Sequence, residues 1–366
     1  GVLALAYGSD PGGVMEAWLT AWIFGISVAL GALAFLMIGH VTGARWFVVV
    51  RRVAETVVAT LPFLALLMLP VLLDLGRLYP WARAGVEGTV TGEPGGRAIW
   101  LQPGFFTVRA VACLLVWCAM ATALWAWSTG SDEGGGRSRA RAPVILSAVG
   151  LPVYGVTVTV AAFDWIMSLD PTWSSTMFGI YWFAGGFLAS LALLVLLAAG
   201  LERAGYLRER VATDHYYALG RLLLTFVVFW AYIAYSQGFL VWIADIPREA
   251  EWYVARWDHG WSVVLVLLIV GHFAVPFLAL LSRELKRRRR RLVAVAAWLL
   301  VVHWIDVYWL VEPSLGRDPL PGWPHLAALA AVLGLSTAWG TWRLRGKQPV
   351  PIGDDRLAAS AAYVSR

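Results

Sequence analysis

Charge is the first thing this sequence has little of. Asp, Glu, Lys and Arg make up only 14% of its 366 residues, while 60% are hydrophobic and the mean hydropathy is +0.68. A water-soluble domain carries about a quarter charged residues, so a soluble globule is excluded. Cysteine is nearly missing as well. Cys113 and Cys118 stand five apart in one apolar run, share no helix face well, cannot form a local disulfide and read as small packing residues. There is no CxxCH or CxxC element, which excludes covalent haem attachment or iron–sulfur ligation through such motifs. The opening GVLALAY lacks the basic start and the length of a signal peptide.

What the chain has in quantity is apolar length. Runs of about 20 apolar residues, enough to cross a bilayer core, place nine spans at roughly 16–38, 47–73, 105–128, 143–163, 177–200, 222–243, 260–281, 292–311 and 324–342. The expected fold class is all-α, a polytopic transmembrane helix bundle. Residues 1–345 form one helical domain and 346–366 a cytoplasmic tail, surface-lying or mobile. The connecting segments are sorted by charge. Of 29 Lys and Arg, 22 lie in one alternating set: Arg45, Arg51 and Arg52; Arg137, Arg139 and Arg141; Arg203, Arg208, Arg210 and Arg221; the block RELKRRRRR from Arg283; and the tail from Arg343. Only six lie in the other set, Arg77, Arg83, Arg97, Arg248, Arg256 and Arg317, with Arg109 at a helix start. By the positive-inside rule the C-terminus is cytoplasmic. The net charge of +6 therefore reports orientation in a lipid bilayer, not a nucleic-acid partner. Nine spans put the N-terminus outside, but GVLALAY looks like the end of a preceding helix, which would make ten.

The 22 tryptophans suit interfacial belts. Pro62, Pro70, Pro152 and Pro276 lie inside spans, where they kink helices and free carbonyls. Gly179, Gly185, Gly186 and Ala189 make the fifth span small on one side, open to close packing. DEGGGRSRARA reads as a flexible loop, and Asp74 to Gly104 as irregular structure.

Ionisable groups at membrane depth are costly and are the default functional candidates. His303 and Asp306 are three apart, hence on one helix face, where the carboxylate can orient the imidazole for proton relay or the pair can simply tie helices together. His272 precedes Pro276 by four; it is a second relay group, or bonds a carbonyl freed by the kink, or clasps a b-type haem with His303. Glu55 follows Arg51 by four and reads as a snorkelling ion pair or a proton entry. Thr225, Tyr232 and Ser236 form a hydroxyl stripe expected to face the bundle interior. In FDWIMSLDPTWSSTMFGIYWF, Asp164, Trp165, Met167 and Trp173 suit an interfacial element, with Asp164 a proton exit or quinol-headgroup contact and Asp170 before Pro171 a helix cap.

That same segment, read on as FDWIMSLDPTWSSTMFGIYWFAGGF, resembles the F subunits (ActF) of bacterial alternative complex III, a quinol:cytochrome c oxidoreductase. So do TGARWFVVVRRVAETVVATLPFLALLMLPVLL with LYPWA, AYIAYSQGFLVWIADIPREAEWY, and GHFAVPFLALLSRELKR followed by HWIDVYWLVEP, over about 14 to 340. The resemblance implies an NrfD-like (polysulfide-reductase-like) fold of ten helices, two four-helix bundles and two peripheral helices. It implies a chain in the bacterial cytoplasmic membrane with no haem or metal of its own. Menaquinol or another quinol, c-type haems and iron–sulfur clusters belong to its partners: multihaem and monohaem cytochrome c subunits, an iron–sulfur subunit and a sister NrfD-like quinol-binding subunit. The chain would scaffold that complex and conduct protons by way of Glu55, Asp164, Tyr232, His272, His303 and Asp306. Two other functions stay open. One is a quinone site near Asp164 and the sixth span. The other is a standalone secondary transporter, which the lack of a clear internal repeat disfavours.

Overall fold

A computed structural model describes residues 10–83, 99–135, 141–207 and 210–365. All regular elements among them are helical. Among the described residues, eight helices are long and apolar enough to cross a membrane: α1 (Pro11–Val41), α2 (Val48–Leu73), α3 (Pro103–Glu133), α4 (Ala142–Leu169), α5 (Phe178–Arg203), α6 (Thr213–Ala244), α7 (Trp261–Leu281) and α8 (Arg289–Leu315). They match eight of the nine spans expected. The ninth is the helix α9 (Trp323–Leu344), which packs along α1 but is less apolar, carrying His325, Ser336, Thr337, Thr341 and Arg343. GVLALAY, the stretch 84–98 with Arg97, Arg137, Arg139 and Arg208 lie outside the described residues.

The bundle is arranged around α1 and α5. A helix apolar on every side has no solvent or lipid face to prefer and becomes a central one. Nearly every side chain of α1 is buried; α2, α4, α5, α8 and α9 surround it, and α5 in turn touches α4, α6 and α8. Asp10 caps α1 by accepting from the Gly13 amide at 3.0 Å, and Pro11 takes the first helical position. Where α1 and α5 cross, the small face expected of α5 is used. A Cβ on Gly31 would lie 2.5 Å from the Gly186 carbonyl oxygen, and one on Gly186 would lie 2.7 Å from that of Ser27. The helices thus touch backbone to backbone.

Two spans are broken as their prolines require. α2 runs as Val48–Val58, Leu61–Leu67 and Leu69–Leu73, with Pro62 and Pro70 opening the later segments. The carbonyls released at these breaks cannot turn to water in a membrane, so side chains of neighbouring helices satisfy them. Trp22 donates to Leu64 O at 2.7 Å, Trp18 to Leu67 O at 2.9 Å and Trp339 to Ala59 O at 2.9 Å. α7 contains a π-helical turn over Ile269–Ala274 just before Pro276, and Trp298 donates to its Gly271 carbonyl at 2.7 Å. Several tryptophans therefore pin broken helices from inside the bundle, a role apart from the interfacial belts their number suggests.

The basic segments gather at one end. Arg51 pairs with Asp354, Arg52 with Asp132, Arg287 with Asp214 and Arg289 with Glu202. The tail crosses this end as a packed strap, where a surface-lying or mobile segment was expected. Gly353 N donates to Asp132 at 2.9 Å, Ser360 Oγ accepts from Val49 N at 3.2 Å and donates to Trp46 O at 3.1 Å, and His215 Nε2 donates to Ser360 O at 3.0 Å. Burial alone would raise the Asp354 carboxyl, but Arg356 and Arg51 outweigh it and hold it at about 2, below its ordinary 3.8. This contribution to docking is full above pH 3.8 and is lost as pH falls through about 2. At the opposite end the buried Arg256 donates to Leu310 O at 2.9 Å and Ser314 Oγ at 2.8 Å, fastening the short helix Pro247–Ala255 beneath α8.

Two outcomes follow for detergent-solubilised protein. Gly31→Ala forces the central helices apart and lowers the melting temperature sharply, since its Cβ meets backbone and not a movable side chain. Asp354→Asn loosens the strap, so that trypsin cleaves after Lys347 and Arg356 about tenfold faster or more at pH 7, for a loss of about 1.4 kcal/mol or more in docking.

Candidate functional site

Five helices bring polar groups to one buried point. α8 supplies His303 and Asp306, α7 His272, α5 Tyr181, α6 Trp230 and α1 Ser27, and each of the six is at most 5% exposed. Asp306 is the hub. Its Oδ1 accepts from the Tyr181 hydroxyl at 2.5 Å and its Oδ2 from Trp230 Nε1 at 3.2 Å. The same Oδ2 lies 3.8 Å from His303 Nδ1 and 4.0 Å from His272 Nδ1, just beyond direct hydrogen bonding. Gly185 leaves the room for this: a Cβ there would lie 3.0 Å from His303 Cε1 and 3.3 Å from Asp306 Oδ2.

Hydrogen-bond bookkeeping places the protons. Ser27 Oγ gives its single proton to Phe24 O at 2.8 Å, so His303 Nε2, 3.0 Å away, donates to it. In a neutral His303 the Nδ1 atom is then a bare acceptor without a partner, aimed at the carboxylate. Two acceptors face each other stably only with a proton between them, on Nδ1 or on the carboxyl.

His272 does not bond the carbonyl freed at the kink. The Gly271 carbonyl released by the π turn goes to Trp298, and neither nitrogen of His272 has a hydrogen-bond partner. Its ring rests on Trp230, centroids 4.1 Å apart, with Nδ1 4.0 Å from Asp306 Oδ2. For the haem-clasping alternative His303 offers only Nδ1, which faces Asp306, because its Nε2 is engaged by Ser27 Oγ. Among the described residues no group of three or more His, Cys, Asp or Glu could hold a metal.

The other sequence candidates lie elsewhere. Glu55 is fully buried at the basic end. It meets Arg51 Nε at 3.1 Å and Arg52 Nη1 at 3.4 Å and accepts from Ser128 Oγ at 2.8 Å, an internal ion network in place of a snorkelling pair. Asp164 closes α4 in a two-pronged pair with Arg109, Nε to Oδ2 and Nη2 to Oδ1 both at 2.8 Å, and accepts from Trp100 at 2.9 Å. Its lone pairs are engaged, as a structural clamp requires. Tyr232 is 63% exposed, and Thr225 is exposed with it. The hydroxyl stripe therefore faces away from the bundle interior, because Leu223, Val227, Trp230 and Gln237 form the inward face of α6. Asp170 caps no helix; its Oδ1 accepts from Thr172 N at 3.1 Å in a turn, and α5 begins only at Phe178. Trp165 and Trp173 are buried and do not lie on an outer surface. Tyr181, Trp230 and Ser27 were missed. The available signal was Tyr181 four residues before Gly185, which puts a hydroxyl beside the gap in the small face.

No family model matches this sequence, and a search of curated proteins finds no significant match.

Arg109→Ala leaves the Asp164 carboxylate buried without its cation. It is expected to cost roughly 3–5 kcal/mol, read as a fall in melting temperature in detergent.

Proposed function

We propose that this chain is a non-haem, multi-pass subunit of a membrane quinol:acceptor oxidoreductase of the alternative complex III type. In this reading it scaffolds the complex and carries protons through the bilayer core at Asp306. One observation carries the proton reading: a buried carboxylate faced by two histidine Nδ1 atoms at 3.8 and 4.0 Å, neither hydrogen-bonded. A purely structural ion pair closes its hydrogen bonds, as Asp164 and Arg109 do. An acceptor held just out of reach of two imidazoles instead passes a proton by small ring rotations. The long sequence motifs resembling ActF support the choice of complex, with cytochrome c, iron–sulfur and sister quinol-binding subunits as partners. The arginine-rich end supports a cytoplasmic C-terminus.

A second reading, a quinone site in this chain, is favoured by one specific feature. A cavity of about 500 Å³ reached by Trp100, the indole that donates to Asp164, has a wall of Leu101, Phe163, Met167, Pro171 and Trp173 with Ser168 and Asp170 as its polar groups, a mainly apolar and aromatic lining suited to a flat headgroup. A photoactivatable quinone that labels this cavity supports it, and labelling only in another subunit refutes it.

The main test is affinity purification of the tagged chain, with c-type cytochromes and quinol oxidation expected to co-purify. In liposomes Asp306→Asn and His303→Ala are expected to lower the protons released per electron to the value set by quinol chemistry alone. Purification free of cytochromes sinks the complex assignment, and unaltered proton yields in both variants sink the relay.

A further inference from the structure

A second line of polar groups runs from the Asp306 site toward the end opposite the arginines. On α1, Ser27, Thr20 and Glu16 fall at intervals of seven and four and share a face. Each meets a polar group near α8. Ser27 meets His303 at 3.0 Å, Thr20 donates to Glu312 Oε1 at 2.6 Å, and Glu16 pairs with Arg317 at 2.5 Å. These contacts form a polar seam between two helices whose other facing residues are apolar.

Glu312 is the unusual member. It is fully buried where α8 passes into a 3₁₀ turn over Glu312–Leu315. Oε1 accepts from Thr20 and lies 3.1 Å from His325 Nε2, while Oε2 has no partner at all. His325 comes from the first turn of α9, and neither of its nitrogens makes a well-formed hydrogen bond. Tyr308 stands against the His325 ring, 5.2 Å between centroids, and gives its own proton to Asp318 O at 3.0 Å. Beyond them Arg317, with 40% of its side chain exposed, and the nearby Asp10 open onto the surface beside Glu16. A buried carboxylate with an idle oxygen, an imidazole whose Nε2 faces that carboxylate and a surface ion pair follow one another along the seam.

We infer that this seam is the limb by which protons pass between the Asp306 site and the surface at Arg317, with Glu312 as the intermediate acceptor. The inference rests on the proton reading above and gives it a route. One proton leaves the His303–Asp306 pair, converts the Glu312 carboxylate to a carboxylic acid, moves to His325 and then to solvent beside Arg317, and the carboxylate is restored. Ser27 and Thr20 are about 10 Å apart along α1, so the inferred hop requires water to enter past Phe24, which lies against His303 at 5.6 Å. Asp164 is passed over as the exit because Arg109 and Trp100 already hold both its oxygens.

The purified full chain, reconstituted in one orientation, tests this by infrared difference spectroscopy after a pH step applied at the Arg317 face. Carboxyl bands are assigned with Glu312→Gln and Asp306→Asn. The expected result is a Glu312 band that responds before the Asp306 band, with the Asp306 response slowed tenfold or more in Glu312→Gln and severalfold in Thr20→Val. An Asp306 band that responds as fast in both variants as in the unaltered chain overturns the route and leaves the relay standing. No response from Asp306 to a step at either face overturns the relay itself. Should Glu312→Gln fail to fold, His325→Asn carries the same expectation for the Asp306 rate. A scaffold role for Glu312 would alter stability without altering these rates.

Discussion

Where α1 and α5 cross, Gly31 and Gly186 leave no side chain between two backbones. This contact sets the positions of the polar groups around it. Ser27, one turn before Gly31, is brought to His303, and Gly185, beside Gly186, leaves the space into which His303 and Asp306 project. Close packing in a membrane, where apolar burial gives no advantage over lipid, here serves to place hydrogen-bond partners.

The breaks in α2 and α7 follow from the same lack of water. A proline inside a membrane helix leaves carbonyls that nothing outside the protein can satisfy. This chain answers with indoles: Trp22 and Trp18 reach α2 from α1, Trp339 from α9, and Trp298 reaches α7 from α8. Each bond ties a broken helix to an intact one at a fixed height. The π turn held by Trp298 carries His272, so the position of an unpartnered imidazole beside Asp306 depends on an indole bound to the carbonyl before it.

The helices were legible in the sequence because their signal is local: apolar runs longer than any soluble core needs, separated by arginines that recur at alternate loops. The pairing of His303 with Asp306 was legible for the same reason, being a spacing of three on one helix. Tyr181, Trp230 and Ser27 were not, because their meeting depends on the relative rotation of four helices, which no spacing encodes. Tyr232 shows the converse. A seven-and-four pattern of hydroxyls correctly implied one face of α6, yet the large apolar residues on the other side claimed the interior. The tail escaped prediction because its anchors, Asp354 and Ser360, lie some 300 residues from the arginine and backbone groups they hold.

Three buried acid groups end up in three different electrostatic situations. Glu55 sits among Arg51, Arg52 and Arg356 with Asp132 and Asp354, three cations against three anions, and Asp164 has a guanidinium to itself. In both cases the charge is met by fixed opposite charge: a proton on Asp164 would leave Arg109 without its counter-charge, and one on Glu55 would leave three cations against two anions. Asp306 has no arginine or lysine. It is met by a phenol, an indole and two imidazoles, neutral or titratable groups that can follow a change in its charge. Of the three, Asp306 alone is met without a fixed cation, and that difference in company supports the proposed relay over a clamp.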